Sequence, residues 1–171
     1  MAKLTEQGRI RLAMAIQKLP IYMAWGNGYG AWDSKTHAER AETVHAQDSI
    51  LRNPRGLLKV REVAYVTPVP DNRSAAEIDV DTGRFNRSAS KGTTPTKHLY
   101  LRFQSDFEDA LEEVIREIGV YVGIQIEGEP MYVDLKKQTP TDDGDLMLLE
   151  HRRPIHRDKG VRAIFEFVVT F

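Results

Sequence analysis

The stretch Pro20-Ile21-Tyr22-Met23-Ala24-Trp25-Gly26-Asn27-Gly28-Tyr29-Gly30-Ala31-Trp32-Asp33 runs a short apolar segment straight into a loop built from glycines and aromatic rings. Ile21 to Trp25, bounded by proline and glycine, predicts a buried strand. Gly26, Gly28 and Gly30 supply the left-handed or crowded backbone conformations that a tight loop beside aromatic rings requires. Upstream, Thr5 is placed to cap a helix whose Ile10, Ala13, Met14 and Ile16 lie on one side, with Arg9, Arg11 and Lys18 elsewhere. Pro20 ends that helix.

Downstream, Leu57 to Thr67 alternates apolar and charged residues and ends at the turn Pro68-Val69-Pro70-Asp71-Asn72, which predicts a strand. Ala76 to Val80 followed by Asp81-Thr82-Gly83 predicts a hairpin. Leu99 to Phe103 is a further strand. Asp106 is read as the start of a helix over 106–118, because Phe107, Leu111, Val114, Ile115 and Ile118 fall on one helical face and Gly119 can stop it. Val120 to Ile126, Met131 to Leu135 and Leu146 to Glu150 are strand candidates. The closing Val161 to Phe171 alternates, with Ala163, Phe165, Phe167, Val169 and Phe171 on one side. Burying its three phenylalanines would stabilise the fold by roughly 1.5–3 kcal/mol each. Ser34 to Asn53 gives only a loosely spaced alanine and valine pattern, compatible with an irregular helix or a polar excursion.

These elements predict an α+β fold: a mostly antiparallel sheet with two main helices, the N-terminal one and one near 106–118. At 171 residues the expectation is a single domain over 1–171, with an extended loop or arm within 84–96, where serine, threonine, lysine and glycine accumulate. A net charge of -1 gives no bulk attraction to nucleic acid or anionic lipid. No apolar run is long enough to span a membrane and no secretory leader is evident. The absence of cysteine excludes disulfides, thiolate zinc sites and a cysteine nucleophile.

Chemistry-bearing patterns are few. Gly26-Asn27-Gly28-Tyr29-Gly30-Ala31 fits G-x-G-x-x-A, but Trp32-Asp33-Ser34 follows in place of the helix whose first amides would meet a pyrophosphate. Asp71 with the distant Asp134 and Lys136 imitates the paired acids and lysine of a metal-dependent nuclease. The histidines, His37, His45, His98, His151 and His156, lack the spacing of a helical zinc site. No catalytic residue, cofactor or metal ligand is nominated. His151-Arg152-Arg153-Pro154-Ile155-His156-Arg157-Asp158-Lys159 is basic and Asp142-Asp143-Gly144-Asp145 acidic. Opposite blocks of this kind fix register between copies or neighbours and exclude wrong partners.

Three segments carry a family likeness: the Thr5-to-Gly8 helix start leading into the strand and glycine-rich loop, Phe107 to Val120, and Gly160 to Phe171. Together they resemble bacteriophage tail and baseplate proteins, the first resembling the N-terminal domain of tail-collar fibre proteins. The likeness covers about half the chain and leaves Ser34 to Lys97 outside it. Collar-type proteins continue into a receptor-binding shaft, whereas this sequence stops at Phe171, so the resemblance implies a baseplate or tail-to-baseplate connector working by docking. It implies a virion location in the tail after assembly in the host cytoplasm, with other tail or baseplate subunits and copies of itself as partners, and no membrane or specific nucleic acid. No catalytic residues carry over. Trp25, Tyr29 and Trp32, rigid aromatics on a glycine loop, are the expected anchor for a neighbouring subunit, with core packing the other reading of the same rings, above all for Trp25 at the end of its strand, and with Arg152, Arg153, Asp142 and Asp143 as charged interface candidates. The alternatives are a sheath-capping or head-to-tail connector, a metal-dependent nuclease or hydrolase using Asp71 and Asp134, and a nucleic-acid module using Arg152, Arg153 and Arg157.

Overall fold

Thr5 caps the chain's first helix: its side-chain oxygen accepts the Gly8 amide at 3.1 Å and opens α1 (Glu6–Gln17). The computed structural model describes residues 2–70, 75–110, 112–158 and 160–171. Among these, the remaining elements are a 3-10 turn (Gly30–Trp32), α2 (His37–Ala41), the kinked helical turn α3 (Ala89–Gly92) and ten strands: β1 (Ile21–Gly26), β2 (Pro54–Lys59), β3 (Glu62–Pro68), β4 (Ile78–Val80), β5 (Gly83–Arg87), β6 (His98–Ser105), β7 (Val114–Val122), β8 (Tyr132–Asp134), β9 (Asp145–His156) and β10 (Ala163–Thr170). The fold is α+β and mainly β, and every strand pairing with a defined register is antiparallel. Among the described residues no helix is long and apolar enough to cross a membrane.

The contacts sort into two compact units. The first comprises residues 1–19, 61–103 and 165–171. Its sheet follows the order β10-β6-β3-β5-β4, and its core gathers Ala64, Val66, Ile78, Phe85, Tyr100 and Val168. The Asp81-Thr82 hairpin forms as its turn residues dictate, with Val80 opposite Gly83. Tyr100 donates to Glu166 at 2.5 Å, and Phe103 meets Phe167 edge-on at 6.2 Å. Burial first, and then the Glu166 carboxylate, push the Tyr100 hydroxyl well above the usual tyrosine range. The segment 84–96 begins inside β5 and continues through a tight turn in which Ser90, Lys91 and Gly92 all take positive φ. Ser88 Oγ donates to Thr94 O at 2.7 Å and Thr96 Oγ1 to Val66 O at 2.8 Å, tying this segment to the strand beside it.

The second unit comprises residues 20–60 and 104–164, and its sheet runs β8-β2-β1-β7-β9. β1 is the central strand and is buried along its whole length. Tyr22 and Ala24 face a cluster with Leu51, Leu57, Tyr121, Ile124, Ile126 and Val133. The helix expected at 106–118 is not formed. Residues 107–110 are turn, with Ala110 and Glu112 at positive φ, and 114–122 is β7; Leu111 lies outside the described residues. The physical reason is that Val114, Ile115, Ile118, Val120 and Val122 are β-branched: all five lie in the ladder with β9, and Ile118, Val120 and Val122 pair with β1 as well. Gly119 is no helix stop. It sits mid-strand, where a methyl group would come within 2.5 Å of Leu51 and 2.7 Å of Leu146. The turn is held by Arg157, buried and donating to the carbonyls of Asp106, Asp109 and Val161.

Candidate functional site

The glycine–aromatic loop leaves the end of β1 and is fixed to the second unit by polar contacts on several sides. Asn27 is the hub. Its Nδ2 donates to Glu113 Oε2 and to Val114 O, each at 2.9 Å, and its Oδ1 accepts from Arg55. Lys136 Nζ reaches the other Glu113 oxygen at 3.0 Å. Burial pushes the Glu113 carboxyl up, but the bonds from Asn27 and Lys136 outweigh it and leave the group below the usual carboxylate range. On the far side of the loop, Arg116 grips Asp33 with two bonds, 2.7 and 2.9 Å, which also holds Asp33 below its ordinary value.

Inside this frame the rings divide sharply. Gly28 has φ +50, and a methyl group there would run into the Trp32 ring, so a side chain at this position is excluded twice over. Trp32 is buried and stacks on His151 of β9, centroids 4.0 Å apart and planes 18° off parallel. Tyr29, 54% exposed, stands edge-on to Trp32 at 5.2 Å. Trp25 is buried in β1, opposite Gly56 of β2. Arg40, buried on the short α2, donates to the carbonyls of Trp32 and Lys35 and closes the turn behind the ring.

His151 is 2% exposed. Thr43 Oγ1 gives its proton to Arg40 O at 2.6 Å and lies 2.5 Å from His151 Nδ1, so it accepts from that nitrogen and fixes the tautomer. Nε2 has no partner among the described residues. Burial holds the His151 pKa below its ordinary value, with Asp48 opposing and Arg52 and His45 adding to the shift.

The charged candidates sit at the two ends of β9, an edge strand. Asp142 and Asp143 are exposed in the turn leading into it; the Asp142 backbone pairs with Gln125, and its carboxylate accepts the Gly144 amide at 3.0 Å. At the other end, between the pairs Ile115↔Ile155 and Glu117↔His151, β7 has one residue and β9 has three. Arg152, Arg153 and Pro154 therefore form a bulge. Arg153 is exposed; Arg152 is half-buried, 4.0 Å from Glu150. Arg157 points inward as described, and Lys159 lies outside the described residues.

Comparison with known families bears on this arrangement. Residues 1–171 match the sequence model of a family described as "Baseplate wedge 3 tail fiber network component". The chain belongs to this family. It is a structural component of a phage baseplate and part of the virion tail. No curated protein matches it.

Within the baseplate protein the remaining sequence candidates have local roles. The Asp134 carboxylate accepts the Lys136 amide at 3.0 Å and lies 3.4 Å from Lys137. Asp71, its proposed metal partner, lies outside the described residues, and among those described no cluster of three metal-ligating side chains occurs. Sequence reasoning missed Glu117. Its carboxylate is fully buried on β7 and accepts the amides of Arg52 and Asn53 at 2.9 and 2.7 Å. Asn53 O in turn accepts the Asn27 amide at 3.1 Å, so one buried acid braces the base of the loop. An acid inside a β-branched strand was the signal available.

Proposed function

We propose that this chain is a connector of the baseplate that acts by docking and performs no chemistry, assembling in the host cytoplasm with neighbouring tail subunits and with copies of itself. The observation that carries this reading is Tyr29: a large ring left exposed on a loop otherwise clamped by Asn27, Asp33 and Arg116. A pre-ordered aromatic of this kind costs little conformational entropy on docking. In this reading Trp32 supports Tyr29 from beneath and Trp25 anchors the strand from which the loop springs, so only Tyr29 of the three meets the partner. Asp142, Asp143, Arg152 and Arg153 add charge complementarity, which sets register more than affinity.

The test is Tyr29→Ala, with the variant's incorporation into purified baseplates compared with wild type. Loss of an aromatic hot spot costs at least ~2 kcal/mol of binding, some thirtyfold in affinity. Removing an exposed ring leaves monomer stability within about 0.5 kcal/mol. Normal incorporation of the variant would contradict the reading.

A further inference from the structure

β9 carries opposite charge at its two ends, and that polarity specifies a partner. Asp142, Asp143 and Asp145, all exposed, lie at its start; Arg152 and the exposed Arg153 lie on the bulge near its finish. At about 3.3 Å per residue the two ends are roughly 25–30 Å apart. Between them Leu146, Met147, Leu148 and Leu149 are half-buried; among the described residues β7 is the strand's single neighbour in the sheet, and α2 also packs on β9. A second irregularity falls within this run: Val120 faces Leu148 while Tyr121 faces Leu146, so Met147 is an extra residue and Leu146 and Leu149 both pack on the core. The edge is thus interrupted at Met147 and again at Arg152–Pro154, which blocks indiscriminate addition of a long strand.

We propose that the occupant of this edge is β9 of a second copy, laid antiparallel about a two-fold axis near Leu148. In that register Asp143 of one copy stands opposite Arg153 of the other, and symmetry makes the same contact twice. A parallel arrangement sets acid against acid and base against base. Antiparallel self-pairing satisfies both ends at once, with the half-buried Met147 and Leu148 between them. Side chains carry the contact, because the two bulges break β9 into the short regular runs 145–146, 148–151 and 155–156. The inference rests on the docking reading above and supplies the symmetry and register of the contact between copies.

Sedimentation velocity across a concentration series tests it, using wild type, Arg152→Glu/Arg153→Glu, Asp142→Lys/Asp143→Lys, and the two variants mixed. Wild type is expected to dimerise, more weakly as salt rises. Each variant alone should dimerise at least roughly tenfold more weakly, because like charges then face each other. The mixture should recover the dimer, since positions 142–143 and 152–153 are acidic on one copy and basic on the other. Circular dichroism melting of each variant separates lost pairing from lost folding, and the mixed sample requires both to be folded. A wild type that stays monomeric, a dimer indifferent to both reversals, or a mixture that fails to pair overturns the proposal. Incorporation of the same variants into baseplates reads the docking function separately: a monomer that still enters baseplates sinks the self-pairing and leaves the docking reading standing.

Discussion

Glu117 shows how much one side chain can hold in this protein. A carboxylate without solvent contact survives because two backbone amides point at it, and those amides belong to the segment that fixes the loop through Asn53. Glu117→Gln keeps the shape but turns one of the two acceptors into a donor facing an N–H. The expected loss is about 2 kcal/mol or more, measured by chemical denaturation. His151 makes a second prediction, about pH. Its folded pKa lies below the unfolded value, so the unfolded chain binds the extra proton first. Its contribution is complete above the unfolded value of about 6.5 and is lost as pH falls through that value toward the folded one. Denaturation midpoints of wild type should fall over this window, and the fall should be smaller in His151→Gln. Equal slopes would show that other groups carry the acid sensitivity.

At the scale of elements, the loop's glycines separate into two kinds. Gly28→Ala must accept a positive φ and displace Trp32, so it should cost more than about 1 kcal/mol and shift tryptophan fluorescence. Gly30→Ala meets nothing within 4 Å and should be neutral or slightly stabilising, by up to about 1 kcal/mol. Elements governed by local rules were legible in the sequence. Thr5 capped its helix, Asp81-Thr82 turned its hairpin, and the alternation ending at Phe171 became β10, although Val161 lies before the strand and is exposed. Residues 106–118 were not legible, because a strand buried on both faces has no period of two and its apolar residues fell by chance at helical spacing. The β-branched content was the better guide. The loop's exit from β1 was also legible, but its clamps were not. Asn27 with Glu113 and Arg116 with Asp33 are more than 80 residues apart in sequence, and only folding brings each pair together.

For the whole molecule, the chain passes between its two units at residues 19/20, 60/61, 103/104 and 164/165, so neither unit is built from one continuous segment. In the proposed docking role the braced aromatic loop is a contact surface in the assembled tail. A cryo-electron microscopy reconstruction of the baseplate tests it most directly. The Tyr29 ring is expected to be covered by a neighbouring subunit while Trp32 keeps its stack on His151. A map in which this chain occupies the baseplate with Tyr29 facing open solvent would contradict it.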